Sequence, residues 1–61
     1  MRWRRIDKGD YETTDGRFKV VRIAESGPES WQAQERRGSW WSWISTRGRK
    51  RDAVADIERR A

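Results

Sequence analysis

The chain has 61 residues and a net charge of +5, with 41% charged and only 33% hydrophobic residues. It has neither Cys nor His. A disulfide framework and the usual zinc sites are therefore excluded, and the commonest general base and the thiol nucleophile are missing. No stretch approaches the ~20 apolar residues of a membrane-spanning helix, and the basic N-terminus, with no apolar run behind it, does not read as a signal peptide.

A chain this polar and this short is marginal as a folded domain. Five tryptophans argue for folding, because each can bury ~150–250 Å² and stand in for a larger aliphatic core. Three of them fall in Trp40-Trp41-Ser42-Trp43. Twelve of the fifteen basic residues are Arg. A GC-rich genome also produces that preference, so the clustering of charge carries more information than its total.

Residues 1–9 read as a continuation of the first strand, a flap or a flexible arm, with Arg2, Arg4 and Arg5 around Trp3. Tyr11 to Ile23 carries Asp15-Gly16 between β-prone flanks, the signature of a hairpin with a type I′ turn. That turn pairs Thr13 with Phe18, Glu12 with Lys19 and Tyr11 with Val20. Tyr11, Phe18 and Val20 then share one face, and Arg17 and Lys19 the other. Ser26-Gly27-Pro28-Glu29 reads as a loop. Trp31 to Glu35 alternates apolar and polar like a half-buried strand, and Arg36-Arg37-Gly38 as a second tight connection. Trp40 to Ile44 is a further strand, with Trp41 and Trp43 on one face and Trp40 and Ile44 on the other. Beyond it the period changes. Ala53, Val54, Ile57 and Ala61 form a narrow helical stripe, with Ser45 or Thr46 as the cap and an Asp56–Arg60 pair along the helix. The expected fold is α+β in one domain, 1–61. A three- to four-stranded antiparallel sheet over 10–45 carries one C-terminal helix over 48–60 on one face, seated through Val54 and Ile57.

The function class that fits is a non-enzymatic binding module in the cytoplasm. No catalytic constellation, metal site, cofactor or small-molecule substrate suggests itself. Basic charge with clustered aromatics points to nucleic acid, double-stranded DNA first. Arg47-Gly48-Arg49-Lys50-Arg51 is the leading candidate, because cations at a helix N-terminus oppose the dipole unless they meet an anion. Arg17, Lys19 and Arg22 form a second group on one strand, and Arg36 and Arg37 lie at the end of a hairpin. With Gln32 and Gln34, a face carrying Arg17, Lys19 and Arg36 suits a β-sheet reader. At least three of Trp31, Trp40, Trp41 and Trp43 are expected in the core, and Trp40 or Trp3 is the expected exposed recognition residue. The alternative partner is a host protein gripped by an exposed Trp–Arg patch.

The run Asp15-Gly16-Arg17-Phe18-Lys19-Val20, then Trp31-Gln32-Ala33, Trp40 through Thr46 and Lys50 through Ile57, resembles AP2-type DNA-binding domains and the arm-binding domains of tyrosine recombinases. That resemblance implies DNA reading by the sheet, through Arg17, Lys19, Arg22 and Gln34. The last helix also resembles that of double-stranded-RNA-binding domains, whose first helix has no counterpart here. Size and composition resemble those of small actinobacteriophage proteins.

Overall fold

The computed structural model describes residues 1–23 and 28–61. Ser26 and Gly27 of the expected loop lie outside them. Five strands and one helix are present among the described residues: β1 (Trp3–Asp7), β2 (Asp10–Thr13), β3 (Phe18–Ile23), β4 (Ser30–Arg37), β5 (Trp40–Arg47) and α1 (Lys50–Arg60). The strands form one antiparallel sheet in chain order, β1-β2-β3-β4-β5. The expected α+β architecture is present with one strand more than the sequence reading gave. The addition is the first segment, which is neither flap nor arm: Trp3 pairs with Thr13, Arg4 with Glu12 and Arg5 with Tyr11. No helix among the described residues is long and apolar enough to cross a membrane.

The β2–β3 register is the expected one, with Tyr11 opposite Val20 and Glu12 opposite Lys19. The turn that sets it is not. A type I′ turn needs positive φ at both central residues, and of the two only Gly16 has it, at 74°. Side chains close the loop instead. The Thr13 hydroxyl donates to Asp15 Oδ1 (2.7 Å) and accepts the Phe18 N–H (3.1 Å), while Asp15 Oδ1 also accepts the Arg17 N–H (3.1 Å). The Gly16 N–H returns to the Thr13 carbonyl (2.9 Å). A four-residue loop and a two-residue loop differ by an even number, so the same residues face each other. At the β4–β5 hairpin Arg37 and Trp40 pair across Gly38-Ser39. Positive φ is confined there to Gly38, at 65°, the pattern of a II′ turn whose twist suits the flanking strands.

The core lies between α1 and one face of the sheet. Phe18 and Val20 from β3, Ala33 from β4, and Ala53 and Ile57 from α1 are fully buried, with Trp3, Trp31, Ile44 and Val54 packed around them. Burying a side chain such as Phe18 or Ile57 is worth ~1.5–3 kcal/mol. Thr13 is buried in the same layer, its hydroxyl satisfied by the turn. Strand β5 shifts register between its pairings with Ala33 and Gln34. Opposite Ala33 the bulge leaves Ile44 beside Ser45, so Ile44 packs on the core while Trp41 and Trp43 stay on the other face.

Helix α1 starts later than expected. Its N-cap is Arg49, which makes no side-chain cap bond. Ser45 and Thr46 lie too far back along β5 to reach the free N–H groups, and both hydroxyls are used elsewhere: Ser45 donates to Asp56 Oδ2 (2.6 Å) and Thr46 accepts the indole N–H of Trp43 (2.9 Å). Asp52 in the first turn and Arg59 and Arg60 in the last complement the helix dipole.

Candidate nucleic-acid interface

Helix α1 covers one face of the sheet and leaves the other open. Cross-strand partners share a face, so the register assigns the open one. A row runs across all five strands through Arg4, Glu12, Lys19, Gln34 and Trp43. Beside it lie the Asp10–Val21–Gln32–Thr46 row and the Arg36–Trp41 pair. Charge divides this face in two. Its β1–β2 half holds the carboxylates of Asp10 and Glu12, the latter bound by Arg4 (3.3 Å). The β3–β5 half holds Lys19, Arg36, Gln32, Gln34, Thr46, Trp41 and Trp43, with no acidic residue among the described residues.

The aromatic part of that half is held in place by polar contacts. Trp43 is 63% exposed, and its N–H is spent on Thr46 within the same strand. The ring therefore offers apolar faces and no donor. Trp41 is half-buried, with the Lys19 ammonium 4.6 Å from its ring centroid, within cation–π range. The Gln34 amide donates to Gln32 Oε1 (3.1 Å), which aligns the two amides along β4. The Arg36 Nε donates to the Gly38 carbonyl (3.1 Å) at the hairpin end.

The expected basic cluster at Arg47–Arg51 does not form one patch. Arg47 points to the helix side and grips Asp56 with two bonds, Nε to Oδ2 (2.7 Å) and a terminal nitrogen to Oδ1 (3.1 Å). Lys50 sits over the Tyr11 ring, 3.5 Å from its centroid, and Tyr11 in turn packs against Trp31. Only Arg49 and Arg51 remain exposed without such a contact among the described residues. The apparent local cost of cations at the helix start is thus offset for Arg47 and Lys50 by partners distant in sequence.

Asp56 is the centre of this second arrangement. Only 8% exposed, it accepts from Ser45, Arg47 and Arg59. The Arg47 guanidinium, followed by the Ser45 hydroxyl, holds its carboxyl down at about 2 against the usual 3.8. The same bonds push Arg47 up. The expected Asp56–Arg60 pair is replaced: Arg60 donates to Glu35 on β4 (3.0 Å), which keeps that carboxyl low. An open hollow of about 370 Å³ lies here, lined by Ile44, Ser45, Arg47, Asp56, Arg59 and Arg60. Its charges answer each other, so it reads as the seam of the helix rather than a site.

The remaining expected residues scatter. Arg17 does not share the face of Lys19. It lies in the loop rather than in the ladder, and its guanidinium curls to 5.2 Å from the Phe18 ring, near enough to Glu35 to lower that carboxyl. Arg22 pairs across to Trp31, on the helix-covered side, and bonds Glu29 (3.4 Å). Two positions separate Val20 from Arg22, so period two already placed it away from Lys19. Arg37 bonds Glu35 (3.3 Å). Trp40 is 61% exposed, as expected for a recognition residue, but stands opposite Arg37 on the other side from Trp41. Trp3, the other candidate, packs on the core. The expectation that three of the four later tryptophans are core residues is overturned by Trp40 and Trp43. Alternation did place Trp41 and Trp43 together, but it did not indicate that α1 would cover the opposite face.

Comparison with protein-family models, with curated proteins and with solved structures yields no match to this chain.

Proposed function

We propose that the chain is a non-enzymatic nucleic-acid-binding module, acting in the cytoplasm, whose interface is the β3–β5 half of the open sheet face. The observation that carries this reading is a largely exposed Trp43 on the same face as Lys19 and Arg36, with no carboxylate beside them among the described residues. Exposed indole faces stack on bases and cations neutralise phosphates, and the two together are what such surfaces need. Arg49 and Arg51, exposed at the end of the molecule where β5 gives way to α1, supply flanking phosphate contacts.

The test compares two double variants of equal charge. Lys19→Gln with Arg36→Gln, and Arg2→Gln with Arg5→Gln, each lower the net charge from +5 to +3. Titrated with nucleic acid across a salt series, the first pair should lose affinity and flatten the salt slope by up to two contacts, while the second changes little. Equal losses in both pairs mean attraction to net charge alone, and the face has no special role. Absence of binding at low salt removes the reading altogether.

Trp40 supports a second reading. A 61% exposed indole at a hairpin end, off the nucleic-acid face, is the kind of residue that anchors a protein interface. That reading predicts a host protein whose capture is abolished by Trp40→Ala and is weakly sensitive to salt.

A further inference from the structure

We infer that the ligand of the open face is a single-stranded polynucleotide, lying along β5 with bases stacked on Trp43 and Trp41; this rests on the nucleic-acid reading above. Three features favour a strand over a duplex. The first is width. Five strands at ~4.8 Å spacing make a sheet about 19 Å across, against a major groove of ~12 Å. The sheet cannot enter the groove as a unit. The second is charge. A duplex broad enough to cover the face meets Asp10 and Glu12 on its β1–β2 half, whereas a single strand following β5 keeps to the half where, among the described residues, Lys19 and Arg36 stand without a carboxylate.

The third is the chemistry of the tryptophans. Groove readout requires donors and acceptors aimed at base edges. Trp43 has only a donor, and Thr46 already accepts it. What the residue presents is its ring, and stacking on a ring needs a base that has left its pair. Trp41 and Trp43 are two residues apart on one strand, so their Cα atoms are separated by about 6.8 Å along it, twice the ~3.4 Å step of a stacked strand. The two rings are thus spaced to engage alternate bases or splayed neighbours. Trp43 is ready for this in the free protein. At Trp41 the Lys19 ammonium occupies one ring face, and it can move to a phosphate as a base replaces it.

The experiment uses the intact chain with three probes of equal length: oligothymidylate, oligouridylate and a mixed-sequence duplex, followed by anisotropy and by quenching of tryptophan fluorescence. Both single strands should bind at least about tenfold more tightly than the duplex, with quenching. Trp43→Ala should weaken strand binding about 5- to 150-fold, and Trp43→Phe should retain most of it. An exposed position tolerates either change, and circular dichroism of the variants checks that. Duplex binding as tight as or tighter than strand binding overturns the inference while leaving the nucleic-acid reading in place. So does strand binding that is indifferent to Trp43→Ala. Failure of all three probes at low salt sinks both.

Discussion

Ile57→Ala is the sharpest probe of how the helix is seated. Ile57 is fully buried between α1 and the sheet, against Phe18, Val20 and Ala33, whereas Val54 one turn earlier is only half-buried at the margin. Truncating a fully buried Ile costs about 2–5 kcal/mol through lost transfer energy and the cavity left behind. A chain of this length has a total stability of about 3–9 kcal/mol at ~0.05–0.15 kcal/mol per residue. A single truncation thus removes a large share of the folding free energy. At about 4–8 °C per kcal/mol for so small a domain, the melting temperature should fall by at least about 8 °C, and a loss at the upper end exceeds the lower bound of the total stability. Val54→Ala removes two methyl groups from a site that water already reaches, and should cost less than about 1.5 kcal/mol. Urea unfolding followed by tryptophan fluorescence measures both on one scale. If Val54→Ala costs as much as Ile57→Ala, or if Ile57→Ala unfolds like the unaltered chain, α1 is not seated on the face described.

Gly16→Val should destabilise strongly although the turn is not type I′, because a β-branched residue resists a φ of 74°; an unchanged denaturant midpoint counts against that backbone. Acid should destabilise the fold. Asp56 titrates at about 2 when folded and near 3.8 when unfolded, so its contribution is present above pH 4 and is lost as pH falls toward 2. Asp15 and Glu35 are lowered as well, so Asp56→Asn should flatten the decline without abolishing it; an unaltered acid profile in that variant removes Asp56 from the account. Arg47→Ala should lower the melting temperature more than Arg49→Ala or Arg51→Ala, because only Arg47 holds a buried carboxylate. Equal melting of the three variants refutes that distinction.

Residue pattern made the sheet and helix legible where each strand carries both an alternation and a turn. Tyr11, Phe18 and Val20 against Glu12 and Lys19 define the register without ambiguity, because a slip by one residue turns every side chain to the wrong face. Strand β1 was not legible for the opposite reason. Arg4, Arg5 and Asp7 give it the charged composition of a protected edge, and only Trp3 reaches the core. The turn type was hidden because Asp-Gly suits two loop geometries, and the choice depends on Thr13, one residue further out. The candidate site shifted for a related reason. A run of like charges in sequence spans the end of a strand and the start of a helix, which aim their side chains in different directions. Arg47 and Lys50 find Asp56 and Tyr11, partners 9 and 39 positions away that no local pattern reveals. The proposed interface on β3–β5 could have been suspected from Trp41 and Trp43 falling on one face with Lys19, Gln34 and Arg36. The missing information was which face the helix takes.

The chain-order meander also bears on how the molecule assembles. Each strand pairs with the one before it in sequence, so every hairpin closes a short loop and little entropy is lost before contacts form. Such a sheet can zip from any hairpin, and Asp7–Asp10 and Arg37–Trp40, each across two residues, are its two tightest closures. What no hairpin can do alone is hide Phe18 and Val20, whose cover arrives only with Ala53 and Ile57 of α1, after all five strands. During synthesis the sheet therefore emerges with an apolar face uncovered until α1 follows it, an interval in which net positive charge opposes association of neighbouring copies.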